Sequence, residues 1–318
     1  MKLAILCSGQ AGQRCTMLDG VFADPDCAEL LALAGDVLGR DVERWWRGLS
    51  EPELFHNANA QFAIALYQIA MWSRIAARVP LPQLIAGYSL GEVLAYFVAG
   101  ALDAGPALRL VRERARLMDA AASGMATAGG CMLLWRGATP PAVRAARDRA
   151  LLANGQQSGL QIAIRRSADE MVLAGDSAAV ERFLADPEIV NPQLVRLPVT
   201  TPSHTSYLAP AAAAFAEQLA ASALGAPRIA VLGGLSAAPV RTRAGAIAAL
   251  SAQISGCLRW DLCMEALVER GVDTVIELGP GSDLCKLFEM RYPQVAARSL
   301  DAFADPRHVA DWLDARHA

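Results

Sequence analysis

Six residues, Gly87-Tyr88-Ser89-Leu90-Gly91-Glu92, constrain this chain more than any other stretch. They follow the apolar run Leu84-Ile85-Ala86 and precede Val93-Leu94-Ala95-Tyr96-Phe97-Val98-Ala99, so the local order reads strand, tight turn, helix. A G-x-S-x-G turn at that junction is a nucleophile elbow, in which glycines let the backbone reverse sharply and leave the serine hydroxyl exposed. Ser89 is thereby the candidate nucleophile, on an α/β scaffold. A glycine-rich turn carrying a solvated serine would have the same letters, so the remaining chain has to decide between them.

At 318 residues, 54% of them hydrophobic, the chain can bury one large domain with a smaller one attached. A net charge of −3 gives no electrostatic basis for nucleic acid as a partner. The apolar run after Met1-Lys2 stops at Cys7, too short for a signal segment, and no run approaches a membrane span. Seven cysteines, an odd number without a C-x-x-C pair, point away from a disulfide framework or zinc site and toward a reducing cytoplasm.

Leu3–Cys7 reads as a buried first strand ending in the polar loop Ser8-Gly9-Gln10-Ala11-Gly12-Gln13. Residues 27–80 read as helices; the last, Gln61–Val79, ends at Pro80. After the elbow come a helical run to Gly100 and another over Ala107–Ala121. From Gly124–Gly130 the pattern changes to strand Cys131–Trp135, helix Pro140–Ala150, strands Leu160–Ile164 and Met171–Ala174, helix Ser177–Ala185 and strand Leu194–Val199. That β-α-β-β-α-β order matches a ferredoxin-like unit. Helix Tyr207–Leu224, strand Ile229–Leu232, helix Ala244–Ile254 and strand Asp273–Leu278 then resume the α/β pattern. The expected architecture is a large α/β-hydrolase-like domain with a parallel sheet (1–125 and 201–318), interrupted by a ferredoxin-like subdomain (126–200).

A serine nucleophile needs a base, and the chain has four histidines. His56 falls in a polar loop, His308 in a C-terminal helix-like segment, and His317 is penultimate. His204, in Thr201-Pro202-Ser203-His204-Thr205-Ser206, follows a strand and precedes a helix, where α/β proteins place their chemistry. By elimination it is the candidate base. In α/β-hydrolases the histidine comes late in the chain, whereas 114 residues follow His204. Oxyanion donors are available from the Leu90 N–H and from the loop Gly9-Gln10-Ala11. Arg114 shares a helix with Arg112 and Arg116; spacing alone fits a solvated face as well as a ligand site.

Taken together, these segments resemble the malonyl-CoA:acyl carrier protein transacylase family over nearly the whole chain. Ser8–Gln13 is similar to the family's P-G-Q-G-S-Q loop, Gly87–Glu92 to its G-H-S-x-G-E elbow and the Arg114 segment to its L-V-x-x-R-x-x-x-M helix. Pro202-Ser203-His204 is similar to its P-S-H, and Glu277–Gly281 to its E-x-G-P-G. The resemblance implies ping-pong transfer of a malonyl group from malonyl-CoA to a carrier-protein thiol. Ser89 would be the nucleophile and His204 the base. The backbone carbonyl of Gln253 would orient His204, and Gln10 and Leu90 N–H would hold the oxyanion. Arg114 would receive the malonyl carboxylate, and Gln61 would line the pocket. No bound cofactor or metal is implied.

Departures from the family pattern carry information too. Ser8, Tyr88, and Arg165–Glu170 in place of N-x-N-S-P-G-Q differ from the common pattern. The C-S-G-Q opening, the G-Y-S elbow and Trp260-Asp261-x-Cys263-Met264 most resemble the epsilon-subunit branch of malonate decarboxylase, whose other subunits would then be partners. A discrete acyltransferase of polyketide or fatty acid synthesis is the rival. Arg165, Arg166, Lys286 and Arg291 are the expected carrier-facing cations. From other classes, a serine hydrolase or thioesterase would share the elbow, and a docking subunit would keep it as a relic.

Overall fold

The computed structural model of the chain describes residues 1–123, 129–137, 159–187, 189 and 193–316. The expected helix Pro140–Ala150 and His317 lie outside the described residues.

Alternation within short apolar runs builds the first sheet. In strand β1 (Leu3–Cys7), Leu3, Ile5 and Cys7 enter one apolar cluster while Ala4 and Leu6 enter another on the opposite face. Strand β2 (Leu84–Gly87) does the same, with Ile85 on the first side and Leu84 and Ala86 on the second. A strand covered on both faces has no polar side, which is why these runs read as continuous apolar stretches.

Among the described residues, nine further strands complete two sheets. They are β3 (Gly130–Trp135), β4 (Leu160–Arg165), β5 (Met171–Asp176), β6 (Val195–Arg196), β7 (Val231–Leu232), β8 (Pro239–Val240), β9 (Leu258–Arg259), β10 (Thr274–Glu277) and β11 (Ala296–Ser299). The larger sheet has the order β11-β10-β1-β2-β7-β8, parallel except for the final antiparallel pair. The smaller has the order β6-β3-β5-β4-β9, antiparallel except for β4 with β9. Helices and two sheets thus make the mixed α/β fold expected from the sequence. Strand β9 comes from residues 258–259, well after the 126–200 segment, and it joins the two parts of the chain.

Several elements are shorter than the sequence pattern, among them β7, which covers Val231–Leu232 of the expected Ile229–Leu232. Strand β6 covers Val195–Arg196 of the expected Leu194–Val199; it is an edge strand, Leu197 N–H still donates to Met132 O at 2.9 Å, and Pro198 falls where the backbone faces the open edge. Helix Tyr207–Leu224 is a 3-10 turn, Ser206–Leu208, followed by helix Ala209–Ala221 with Pro210 in its first turn.

Because β10, β1 and β2 are parallel neighbours, their carboxyl ends open on one edge. There the elbow helix Gly91–Val98 abuts β1: a Cβ on Gly91 would lie 2.0 Å from the Cys7 carbonyl oxygen. Gly91→Ala is therefore expected to cost about 1–3 kcal/mol from overpacking. The denaturation midpoint at constant slope reads this, and an unshifted midpoint would contradict the close approach.

Candidate active site

Ser89 has φ +56, the left-handed region that non-glycine residues rarely adopt, as the sharp strand-to-helix reversal requires. The first loop meets this turn directly. A Cβ on Gly9 would lie 2.8 Å from the Tyr88 oxygen and 3.7 Å from Ser89 Cβ, so the neighbouring Gln10 sits at the elbow. The loop is tied from behind. Ser8 Oγ donates to Glu277 Oε1 at 2.8 Å, and Gln68 Nε2 donates to the carbonyls of Ser8 and Gly279, each at 2.8 Å.

His204 Nε2 lies 2.8 Å from Ser89 Oγ, although the two residues are 115 apart in sequence. Its Nδ1 lies 2.5 Å from the Gln253 carbonyl oxygen, and its backbone N–H donates to Ile254 O at 2.9 Å. Both carbonyls belong to the last turn of helix Arg243–Ser255, where helical carbonyls lack partners in their own helix. Since a carbonyl only accepts, Nδ1 carries the proton and Nε2 presents a lone pair to the serine hydroxyl. Burial, then the nearby Arg114 charge, lowers the His204 pKa to about 3, while the Gln253 bond opposes this. The resting imidazole is neutral and ready to accept a proton.

Arg114 is 1% exposed, so the solvated-face alternative does not hold. Its Nη1 donates to Gln61 Oε1 at 2.7 Å; Nη2 is 3.4 Å from Gln253 Oε1 and 3.5 Å from Ser89 Oγ. These acceptors are all neutral, and among the described residues the Nε–H has no partner. Burial lowers its pKa to about 10, with the Glu92 charge opposing the shift. Buried charges are normally paired, so a guanidinium beside a nucleophile with only neutral acceptors is suited to receiving an anion.

A cavity of about 270 Å³ opens over Ser89 and His204, between the carboxyl edge of the larger sheet and an apolar face of the smaller one, Met132, Leu134, Ile164 and Val172. Arg114 lies beside Ser89, against Gln61 and Gln253. At the far side Arg166 is 4% exposed, bridges Glu170 at 2.6 Å and pairs with Asp283. Its guanidinium carbon is 5.8 Å from the Tyr88 ring centroid. Arg166 is thus a buried clamp across the cleft, not one of the expected surface cations; Lys286 and Arg291 are exposed and Arg165 is half-buried.

The structure therefore gathers Ser89, His204, Gln253, Arg114 and Gln61 into one hydrogen-bonded group, with Gln10 and Leu90 adjoining the elbow. His56 and His308 stay exposed, outside this hydrogen-bonded group. Sequence reading passed over Asn57, which holds Gln61 at 2.6 Å, and Asp119, which holds Asn57 at 2.8 Å. The spacing of Asn57 and Gln61 by four residues was the available signal. Among the described residues, no cluster of histidine, cysteine and carboxylates is arranged to hold a metal ion, and no helix is long and apolar enough to cross a membrane.

Known proteins with this sequence pattern and fold share an activity in their names. A family model described as the acyl transferase domain matches residues 48–302. A malonyl CoA-acyl carrier protein transacylase of Mycobacterium tuberculosis is 29% identical over 316 residues, covering 97% of this chain and 99% of the relative. Its namesake from Escherichia coli K12 is 29% identical over 308 residues, covering 94% and 96%. The crystal structure of an acyl-carrier-protein S-malonyltransferase from Burkholderia pseudomallei 1710b is similar with a TM-score of 0.86 and 30% identity, covering 98% of this chain and 100% of that one. A structure of a type II PKS acyl-carrier protein in complex with its malonyl-transacylase is similar with a TM-score of 0.88 and 28% identity, covering 98% and 99%.

Beneath the elbow, Glu92 is fully buried; it accepts from Gly234 N–H at 3.2 Å. Burial raises its pKa from 4.5 to about 8. The native state then holds a proton that the unfolded state has released, so this residue's contribution to stability falls as pH rises from about 4.5 through 8. Denaturant midpoints at pH 6 and pH 9 should differ less in Glu92→Gln than in wild type; an equal difference would exclude Glu92 as the source.

Proposed function

The chain belongs to the acyl transferase domain family, and on that premise we propose that it carries a malonyl group from malonyl-CoA to the phosphopantetheine-type thiol of an acyl carrier protein. The observation that carries the reading is Arg114: a buried cation, hydrogen-bonded only to neutral groups, whose Nη2 is 3.5 Å from the nucleophile oxygen. An acyl group that ends in a carboxylate supplies the missing charge, and a planar guanidinium binds a carboxylate through two parallel bonds. The names of the relatives agree with this substrate and acceptor.

In the first half-reaction Ser89 Oγ attacks the thioester carbonyl while its proton passes to His204 Nε2. Carbonyl electrons move onto oxygen, where the Leu90 and Gln10 N–H groups hold the developing charge. Collapse breaks the C–S bond, and the departing thiolate takes the proton from His204. The carrier thiol then gives its proton to the same nitrogen and attacks the ester carbonyl; collapse breaks the bond to Ser89 Oγ, which takes the proton back from His204. The Gln253 carbonyl stands where a triad carboxylate stands in other serine enzymes. It holds the tautomer, and the negative end of its helix favours the transient imidazolium. These steps call for no resident cofactor.

We read the larger part as α/β-hydrolase-like and the 126–200 segment as ferredoxin-like; the order β6-β3-β5-β4 supports the second. A cytoplasmic setting fits the cysteine pattern. Within the family we favour the epsilon-subunit branch of malonate decarboxylase, with that complex's other subunits as partners. Its marker residues support one another: the Tyr88 ring meets Trp260 edge-on, centroids 5.4 Å apart, and Ser8 anchors the oxyanion loop on Glu277. Comparing transfer rates to a malonate decarboxylase carrier and a polyketide or fatty acid carrier tests this choice, and preference for the latter overturns it.

Radiolabelled malonyl-CoA should leave a stable ester on Ser89 that is absent in Ser89→Ala; label persisting in that variant overturns the nucleophile. Arg114→Ala should slow malonyl loading by about a hundredfold or more, since it removes one partner of a buried charge pair. Acetyl loading should fall far less, and equal losses would remove the carboxylate role. Rapid release of free malonate without a carrier would instead identify a hydrolase.

A further inference from the structure

A chain of hydrogen bonds leads from Arg114 to the rim of the site, and every link in it has a direction. Asn57 Nδ2 donates to Asp119 Oδ1 at 2.8 Å and lies 3.3 Å from the Ala115 carbonyl oxygen. Asn57 Oδ1 accepts from Gln61 Nε2 at 2.6 Å and from Gln10 Nε2 at 3.2 Å. Gln61 Oε1 then accepts from Arg114 Nη1 at 2.7 Å. Two antiparallel helices supply the core of this chain. Asn57 and Gln61 lie four residues apart on Asn57–Ile75, facing Arg114, Ala115 and Asp119 on Ala104–Ser123.

An amide side chain has one accepting and one donating end, so its orientation follows from its partners. A carboxylate only accepts, and so does a backbone carbonyl. Asp119 and Ala115 O therefore turn the nitrogen of Asn57 toward themselves and its oxygen toward Gln61. Facing an acceptor, Gln61 must present its nitrogen there, which leaves its oxygen for the guanidinium. If the Gln61 amide were reversed, its N–H groups would oppose those of Arg114. The same Asn57 oxygen also holds the side chain of Gln10, whose backbone belongs to the oxyanion loop.

We propose that Asn57 is a positioning residue that sets the acyl preference of the site. It fixes the orientation of Gln61, which in turn aims the Arg114 guanidinium, and it ties that guanidinium to the oxyanion loop through Gln10. The proposal rests on the reading that Arg114 receives the carboxylate of the acyl group. Asn57 touches neither substrate nor reacting atoms in this scheme; it acts through Gln61 and Gln10.

Initial rates of Ser89 acylation by malonyl-CoA and by acetyl-CoA, followed by intact-protein mass, give a ratio that needs no carrier protein. Asn57→Leu should lower the malonyl-to-acetyl ratio by about tenfold, the scale of coupling between hydrogen-bonded neighbours. Asn57→Asp should also lower it, because two carboxylates then face each other. Adding Asp119→Asn to that variant restores a donor facing an acceptor with the ends exchanged, and should recover most of the ratio. A space-filling role would not be rescued this way. An unchanged ratio in Asn57→Leu, equal loss for both acyl groups, or a double variant no better than Asn57→Asp would each overturn the proposal. A wild-type ratio near one that Arg114→Ala leaves unchanged would overturn the malonyl reading itself, and the proposal with it. A wild-type preference that survives in the Asn57 variants would overturn the proposal alone.

Discussion

The hold of helix Arg243–Ser255 on His204 is the contact on which the rest of the site depends. Two carbonyls at the end of that helix, Gln253 O and Ile254 O, bind the ring and the backbone of one residue. A helix leaves its last carbonyls unpaired, so the fold has acceptors to give at no cost to its own ladder. Accepting from Nδ1 assigns the tautomer, and the tautomer makes Nε2 the proton acceptor for Ser89. The Gln253 side chain completes the arrangement by donating to the Ser89 carbonyl at 2.9 Å, so one residue steadies both Ser89 and His204.

Around that contact the buried charges are arranged sparingly. Arg114 and Glu92 are both removed from water, and burial, by raising the Glu92 pKa to about 8, leaves Arg114 the charged member of the two near neutral pH. Arg114 raises no barrier to a neutral His204; its charge helps to keep the imidazole unprotonated. What it lacks is an anion of its own, and this deficit distinguishes the site from that of a simple esterase. The Arg166 cluster is the opposite case. There the guanidinium is paired with Glu170 and Asp283 and serves to hold the two sheets across the cleft.

Much of the fold could be read from local pattern because its strands are short and apolar and its turns are marked by glycine. Strands β1 and β2 fall where the alternation-free apolar runs placed them, and the elbow follows. Edge elements were less legible. Strand β6 pairs on one side only and keeps two residues, and two-residue β9 carries too little pattern to be seen, yet it joins the smaller sheet to the larger part. Arg166 was misread as surface because an arginine run in a polar loop has the same letters whether or not carboxylates from another part of the chain cover it.

By itself the sequence made Ser89 the candidate nucleophile, since G-Y-S-L-G-E between an apolar strand and a helix marks a sharp turn with Ser89 at its tip. By elimination it also made His204 the candidate base, because among four histidines it sits where a strand hands over to a helix. Tertiary structure alone decided what those groups face. The 2.8 Å between Ser89 and His204, the carbonyl that replaces an acid, and the burial of Arg114 among neutral acceptors all join segments far apart in the chain. Local propensity describes a residue's own backbone; charge balance and tautomer are properties of what surrounds it, and packing brings those surroundings together.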